Sequence, residues 1–395
     1  MRKFRLNLET TLFFFKLSLL RIVHRIIKST EMGRKLVVFL FFVGLSDILS
    51  GQSHFAKLDS WMETNTKDMG GRAILVIYKD GKIIYNKSVL DMSHRQKSVN
   101  KYVARKQGVE ADLNAYNLNS NVLVASCSKW LSAALVMTFV DEGKLRLSDT
   151  VGTWLPALSI QGKGSITISE CLSHLTGIKE PSLRGRMKEM KNISSMDQAI
   201  DMIASLPMEG EPGKSFHYSN AGLQIAGAVI EKISGKSFEE LFAERIAIPL
   251  GLKNTDFGKK KVAFPAGGAR STPEDYLTFL TMILQKGNFN GRQILTEKSV
   301  NEMEINRMGP DVKIEYSPTE AKGLGYGFGE WVVKNTEVEK PSGWSTSPGL
   351  FGSFPWVDNE KQYCAFLMTF YLKNKGRNDR YLGLKKLVDG SIIGL

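Results

Sequence analysis

A serine and a lysine three residues apart, Ser126 and Lys129, are the residues of this sequence best suited to covalent chemistry. A serine hydroxyl is a weak nucleophile at neutral pH and needs a neighbouring base. At the start of a helix, residues three apart lie on one face, so the lysine amine could take the serine proton. The helix N-terminus adds unpaired N–H groups and a positive dipole end, which favour a developing oxyanion. Taken alone, the spacing fits equally well a serine that only caps a helix.

A second segment, Phe216-His-Tyr-Ser-Asn220, contains groups that could complete such a site. It follows a Pro212-Gly213 turn and precedes a predicted helix. A phenol at Tyr218, placed beside a lysine, could pass the proton of the nucleophile to a leaving group. The amide of Asn220 could orient the lysine and hold a substrate carbonyl.

The order and spacing of several landmarks resemble those of the penicillin-binding-protein and class C β-lactamase superfamily, specifically its β-lactamase-related serine hydrolases. The resemblance covers residues 55–390 and implies that Ser126 is the acylated nucleophile, with Lys129, Tyr218 and Asn220 in the roles of the matching family residues. The landmarks are Ser126-Cys-Ser-Lys129, Glu142-Gly-Lys-Leu-Arg-Leu-Ser-Asp149, Leu155-Pro156, Ile168-Ser-Glu-Cys-Leu-Ser-His-Leu-Thr-Gly-Ile178, Tyr218-Ser-Asn220, Pro249-Leu-Gly-Leu252 and Gly267-Gly-Ala-Arg-Ser-Thr272.

The third family motif, usually Lys-Thr-Gly or His-x-Gly, is represented here by Ser347-Pro348-Gly349. A serine can donate a hydrogen bond but brings no charge to attract a substrate carboxylate. The resemblance further implies an oxyanion hole formed by the N–H groups of Ser126 and Leu350, with Ser347 and Gly349 lining the substrate site. We therefore expect a carboxylic ester or small amide substrate in preference to a β-lactam or wall peptide.

Two other functions remain open. The chain could be a penicillin-recognising DD-peptidase or β-lactamase, with Ser347 or the basic stretch 91–121 replacing the missing cation. It could also be a catalytically silent protein that binds cell-wall fragments or a partner. The five histidines have no metal-ligand spacing, and His174 is predicted to be structural, so no metal or cofactor is expected.

The elements that would position these groups indicate an α+β fold. Strands at both ends of the chain flank a helical middle, so we predict one antiparallel sheet flanked by helices, plus a mostly helical lobe, as in β-lactamases and transpeptidases. Residues 91–121 lack periodicity and are predicted to be an irregular excursion over or near the site. Predicted helices are 126–142, 169–175, 221–233, 238–248, 273–285 and 380–392, and predicted strands are 73–78, 83–85, 327–333, 352–357 and 364–370.

Charge and cysteine content limit the partners and the compartment. The net charge of +13 is compatible with contact with an anionic envelope surface, but no nucleic-acid-binding motif accompanies it. The three widely spaced cysteines fit buried apolar residues better than a disulfide framework or a zinc site. Residues 32–51 have the basic start, apolar centre and small-residue end of a signal peptide, so we expect export to the periplasm or medium. Residues 1–31 are predicted to be a gene-model extension or a basic leader.

Overall fold

The computed structural model describes residues 54–106, 110–181, 193–258, 262–333, 341–373 and 375–393. The predicted signal peptide and upstream leader lie outside these residues. Two compact units are distinguished, and the site lies entirely within the larger one, Ser60–Asp389. The described residues of the smaller unit are 54–59 and 390–393. In the described part of the chain, no helix has the length and apolar character needed to cross a membrane.

A seven-stranded antiparallel sheet joins the two ends of the larger unit. The predicted first hairpin forms at Asp80 and Gly81, whose φ angles of 50° and 80° suit a tight two-residue turn. The last strand pairs with the first, with Val76 opposite Phe366. The predicted sheet of N- and C-terminal strands is therefore confirmed. Its strands are β1 Arg72–Lys79, β2 Lys82–Leu90, β9 Gly325–Tyr326, β10 Trp331–Val332, β11 Trp344–Thr346, β12 Phe354–Asp358 and β13 Tyr363–Thr369. Across the sheet they lie in the order β2-β1-β13-β12-β11-β10-β9.

Short strand pairs lie outside this sheet and connect segments that carry the site. β3 Val122–Leu123 leads into the predicted nucleophile and pairs with β5 Arg270–Ser271. β4 Ser215–His217 leads to Tyr218 and pairs in parallel with β8 Lys313–Tyr316. A further hairpin is formed by β6 Asn288–Phe289 and β7 Arg292–Gln293.

The helices include one that is buried on all sides. In this helix, α3 Ser128–Asp141, every residue from Ser128 to Phe139 is buried. The helix predicted over 126–142 to be half-buried is therefore central to the core. The remaining helices are α1 Ala56–Thr66, α2 His94–Lys106, α4 Pro156–Ile160, α5 Ile168–Leu172, α6 Met196–Ala204, α7 Ala221–Ser234, α8 Phe238–Phe242, α9 Ile248–Leu250, α10 Pro273–Leu284, α11 Glu297–Met303 and α12 Arg377–Ile392.

The main correction to the predicted elements concerns residues 91–121. His94–Lys106 is the helix α2, not part of an irregular excursion. Its sequence is polar around most of its circumference, so it lacks the apolar periodicity by which helices are recognised. A smaller correction concerns Pro249, which does not stop the preceding helix: a π-helical segment, Ala243–Ala247, continues into α9, and left-handed Gly251 ends it.

All three cysteines, Cys127, Cys171 and Cys364, are buried and free. The prediction that they serve as small apolar core residues is confirmed. Burial raises the pKa of each thiol, which keeps it protonated and unreactive at neutral pH.

Candidate active site

The predicted nucleophile, Ser126, lies in a single 3₁₀ turn, Ala125–Cys127, immediately before α3. The preceding residue, Ala125, has a φ angle of 48°, a left-handed conformation that an alanine adopts only when its surroundings impose it. Two tertiary hydrogen bonds hold this turn: Ser128 Oγ accepts from the N–H of Ala269 at 2.9 Å, and the Tyr276 hydroxyl donates to the Cys127 carbonyl at 2.8 Å. The serine is therefore presented by a tethered segment.

The predicted base, Lys129, is fully buried and points toward the nucleophile. Its Nζ lies 3.3 Å from Ser126 Oγ, 3.3 Å from Asn220 Oδ1 and 2.8 Å from the Ala266 carbonyl. Burial lowers the pKa of Lys129 to about 7, although the charge of Glu180 acts in the opposite direction. Near neutral pH, a large fraction of the molecules thus carries an uncharged amine within reach of the serine proton.

The predicted phenol, Tyr218, lies over the lysine. It follows β4, and its N–H donates to the Tyr316 carbonyl at 3.0 Å. Lys129 Nζ lies 4.8 Å from the centroid of the Tyr218 ring, and the Trp331 ring packs 5.1 Å from the same centroid. Burial raises the pKa of Tyr218, and its interaction with Ser126 offsets only part of that increase. Tyr218 is therefore a neutral phenol at physiological pH, able to donate a proton.

His174 supports this arrangement from beneath. Its ring packs 4.7 Å from the rings of both Tyr218 and Tyr326. Burial, followed by the charge of Lys129, lowers the pKa of His174 well below its usual value, so the imidazole is neutral. The Ser219 N–H donates to Nδ1 at 3.5 Å, which leaves the proton on Nε2, 3.0 Å from the Tyr326 hydroxyl. The predicted structural role agrees with this packing.

One residue of this network, Glu180, was not singled out from the sequence. Its Oε2 accepts from the backbone N–H of Asn220 at 2.7 Å and from Asn220 Nδ2 at 3.2 Å. A carboxylate only accepts, so it orients the amide with Nδ2 toward Glu180 and Oδ1 toward Lys129. The lysine can then donate to Oδ1, and the negative charge of Glu180 also raises the pKa of Lys129 against the effect of burial. Glu180 therefore positions the Asn220 amide and tunes the pKa of Lys129, the predicted base.

A pH profile tests this role of Glu180. The predicted role of Lys129 as a base requires its neutral amine, so in the wild type kcat/KM for a neutral ester should rise about tenfold per pH unit below pH 7 and level off above it. Glu180→Gln removes a charge that stabilises the ammonium form. We expect the midpoint to move to lower pH and the ratio of activity at pH 6 to activity at pH 8 to increase.

The control for this profile is Glu274→Gln, which removes an exposed carboxylate on α10. It should leave the midpoint unchanged. A midpoint that stays constant or rises in Glu180→Gln would contradict the assigned role.

The third predicted motif lies against the nucleophile turn, but its serine faces inward. Ser347 is buried, and its Oγ lies 2.9 Å from the Gly329 carbonyl and 3.2 Å from the Ser126 carbonyl. Its single proton is thus shared between backbone carbonyls. Gly349 lets the backbone of the third motif pack directly against the backbone that precedes the nucleophile turn, since a Cβ there would lie 2.4 Å from the Val124 carbonyl oxygen. These contacts join the strand to the nucleophile turn.

The turn after this motif orients the predicted second oxyanion donor, Leu350. The Gly349 carbonyl accepts from the Gly352 N–H at 2.9 Å, and because a trans peptide directs its C=O and N–H oppositely, the Leu350 N–H points away from that contact. Among the described residues, neither the Ser126 N–H nor the Leu350 N–H donates to another group. Both amides are therefore available to an oxyanion.

A second residue that was not singled out from the sequence, Arg377, holds this turn from behind. Its side chain is 4% exposed and pairs with Glu320 at 3.6 Å. Its guanidinium donates to the Leu350 carbonyl at 3.0 Å and to the Tyr371 carbonyl at 3.2 Å. Arg377 is the first residue of α12, so it ties the candidate oxyanion turn to the C-terminal helix.

Comparison with known proteins identifies the family. A family model described as Beta-lactamase matches residues 58–387, most of the chain. The chain belongs to the beta-lactamase family. A solved putative beta-lactamase from Bacteroides dorei has a TM-score of 0.69 and 27% identity, covering 85% of this chain and 98% of that one. EstCE1, described as a hydrolase with promiscuous acyltransferase activity, has the same fold, with a TM-score of 0.67, 19% identity and coverage of 86% and 99%.

Curated relatives cover less of the chain. An uncharacterised protein of Mycobacterium tuberculosis is 26% identical over 288 residues, 59% of this chain and 71% of the relative. A putative D-alanyl-D-alanine carboxypeptidase of Escherichia coli is 26% identical over 211 residues, 51% of this chain and 46% of the relative. Membership of this family of serine hydrolases confirms the predicted resemblance and fold.

Proposed function

We propose that this protein hydrolyses small carboxylic esters, or small amides, through an acyl-enzyme on Ser126. The observation that carries the proposal is the 3.3 Å contact between Ser126 Oγ and Lys129 Nζ, combined with the burial that lowers the pKa of Lys129 to about 7. A base near neutral pKa, within hydrogen-bond reach of a serine hydroxyl, is the basic requirement of nucleophilic catalysis by serine.

In the acylation step, the Ser126 proton moves to Lys129 as Oγ attacks the substrate carbonyl carbon. The carbonyl oxygen becomes an oxyanion, which accepts hydrogen bonds from the N–H groups of Ser126 and Leu350. Tyr218 donates its proton to the leaving alkoxide or amine and regains one from Lys129, whose Nζ lies 4.8 Å from the phenol ring centroid. The bond to the leaving group breaks, and the acyl group remains on Ser126 as an ester.

Deacylation reverses the proton movements with water as the nucleophile. Lys129, again neutral, accepts a proton from water, relayed by Tyr218, and the oxyanion returns to the same two N–H groups. Collapse of the second tetrahedral intermediate releases the carboxylic acid and returns the proton to Ser126 Oγ. Atoms and charges balance without any further reactant.

The charges around the site favour a neutral substrate over one with a terminal carboxylate. The third motif carries Ser347 where a lysine or histidine is usual, and that hydroxyl faces backbone carbonyls. The cation that contacts the turn after the motif, Arg377, is buried and paired with Glu320. Two exposed apolar side chains lie close to the site: Tyr316, whose carbonyl accepts from the Tyr218 N–H, and Leu350, in the candidate oxyanion turn. Such side chains fit an uncharged acyl or leaving group.

A substrate panel separates this proposal from its alternatives. The purified protein is assayed with nitrophenyl acetate and butyrate, a chromogenic cephalosporin and a peptide ending in D-Ala-D-Ala. We expect ester hydrolysis to exceed the other rates by at least about tenfold in kcat/KM, because a missing charged contact is worth about 1.5–3 kcal/mol. Faster turnover of the peptide would indicate the function named for the Escherichia coli relative, and faster turnover of the cephalosporin would indicate a β-lactamase. No turnover and no serine labelling would indicate a silent binding protein.

A further inference from the structure

The helix α2, His94–Lys106, has an unusual charge composition. It contains five Lys/Arg residues and no acidic residue. The side chains of Arg95, Lys97, Lys101 and Arg105 are all exposed. Within the described residues, none of these four cations forms an ion pair. Since most surface lysines and arginines have carboxylates nearby, a helix with this composition has a persistent positive field.

The inner face of α2 fixes the helix to the larger unit. Arg72 Nη2, on β1, donates to Asn100 Oδ1 at 3.4 Å, and Gln96 Nε2 donates to the Lys67 carbonyl at 2.7 Å. Ala104 is buried on the same face. The outer face is consequently held in a defined orientation.

The outer face combines positive charge with apolar surface. At about 100° per residue, Lys97, Lys101 and Arg105 follow one another at steps of about 40° and form a single stripe. On the same helical projection, Tyr102, 54% exposed, lies about 60° beyond Arg105, and Val99, 52% exposed, lies about 60° beyond Tyr102. A cationic stripe followed around the helix by exposed aromatic and aliphatic side chains has the character of a helix that lies at a membrane interface.

We propose that this outer face of α2 docks the protein on an anionic phospholipid bilayer, with the helix parallel to the surface. The exposed cations contact headgroup phosphates, and Val99 and Tyr102 enter the interfacial region. Each Lys or Arg near an anionic surface contributes about a fivefold increase in partitioning. The exposed apolar pair favours a bilayer over a soluble polyanion, which would offer it no apolar phase. This inference is independent of the proposed hydrolytic function.

Vesicle sedimentation tests the proposal. The full chain is mixed with sucrose-loaded vesicles of phosphatidylcholine alone or with 40% phosphatidylglycerol. We expect binding only to the anionic vesicles, with strong weakening in 0.5 M NaCl because the charges are exposed. Lys97→Glu together with Lys101→Glu should lower the partition coefficient by at least about 25-fold. All variants share the same N-terminus, so any contribution of the basic leader cancels.

Two further variants complete the test. Arg292→Glu with Lys298→Glu makes the same charge change at exposed sites on β7 and α11 and should lower binding far less. Val99→Ser should weaken vesicle binding about fivefold while leaving binding to soluble polyaspartate unchanged. Hydrolysis of a soluble ester, or circular dichroism, verifies folding.

The following results would overturn the proposal: no vesicle binding, equal binding to neutral vesicles, equal losses in the two charge-reversal pairs, or no effect of Val99→Ser. Binding to polyaspartate without binding to vesicles would also overturn it and would identify a soluble anionic polymer as the partner.

Discussion

Ser126→Ala is expected to lower kcat for ester hydrolysis by at least about a thousandfold, because the acyl group then has no oxygen to which it can be attached. The substitution removes one oxygen atom and leaves the turn tethered by Ser128 and Tyr276. Substrate binding and folding should therefore be retained, so KM or inhibitor affinity should change little. Rates are measured by nitrophenol release with the purified variant and corrected for the spontaneous reaction.

The matched control is Ser205→Ala. Ser205 is an exposed serine at the C-terminal end of α6, with its hydroxyl on the Met202 carbonyl. It should keep full activity. If Ser126→Ala retained the wild-type rate, the proposed nucleophile would be wrong, whatever the substrate.

Lys129→Met is the second substitution with a large expected effect. It removes the base, and we expect a loss of about 10²- to 10⁴-fold in kcat/KM together with disappearance of the rise in activity near pH 7. Because a buried amine is poorly solvated, methionine of similar length should be tolerated by the fold, and the thermal midpoint should stay the same or increase. Activity and thermal unfolding are measured on the same preparation.

Lys163 offers a control of the same type. It is also a buried lysine, and its Nζ donates to the Ala204 carbonyl at 2.7 Å, outside the candidate site. Lys163→Met should change stability without changing the pH profile. Comparable activity losses in the two variants would mean that Lys129 acts through the core and not through chemistry.

The double variant Ser126→Ala/Lys129→Met provides an additional check on both assignments. A nucleophile and its base act as a unit, so their effects are strongly non-additive. The double variant should be no slower than Ser126→Ala alone. Multiplicative losses would indicate that the two residues serve separate steps.

The sequence was sufficient to identify the parts of the site that depend on local spacing. Ser126 and Lys129 are one helical turn apart, so their proximity follows from the predicted helix start. The pairing of the first and last strands likewise followed from apolar patterns at the two chain ends. Tyr218 and Asn220 were singled out for their chemistry, but their roles came from the order of family landmarks, since nothing local to their segment specifies a contact with Lys129, which is 91 residues from Asn220.

Features that depend on tertiary contacts could not be inferred in this way. The contacts of Glu180 with Asn220 and of Arg377 with Leu350 join residues distant in sequence, and neither Glu180 nor Arg377 lies in a recognisable motif. The inward orientation of the Ser347 hydroxyl depends on a carbonyl contributed by Gly329. The helix α2 was missed for a different reason: its outer face carries the cations, and too few apolar residues remain to show a helical period.

The most direct test of the central claim is the mass of the enzyme during turnover. The protein is mixed with excess nitrophenyl butyrate, quenched in acid within the first turnovers and examined by intact-mass and peptide mass spectrometry. We predict an increase equal to one butyryl group, located on the peptide that contains Ser126 and absent from Ser126→Ala. A butyryl group on another residue, or hydrolysis with no adduct under conditions where nitrophenol appears in a burst, would contradict the account.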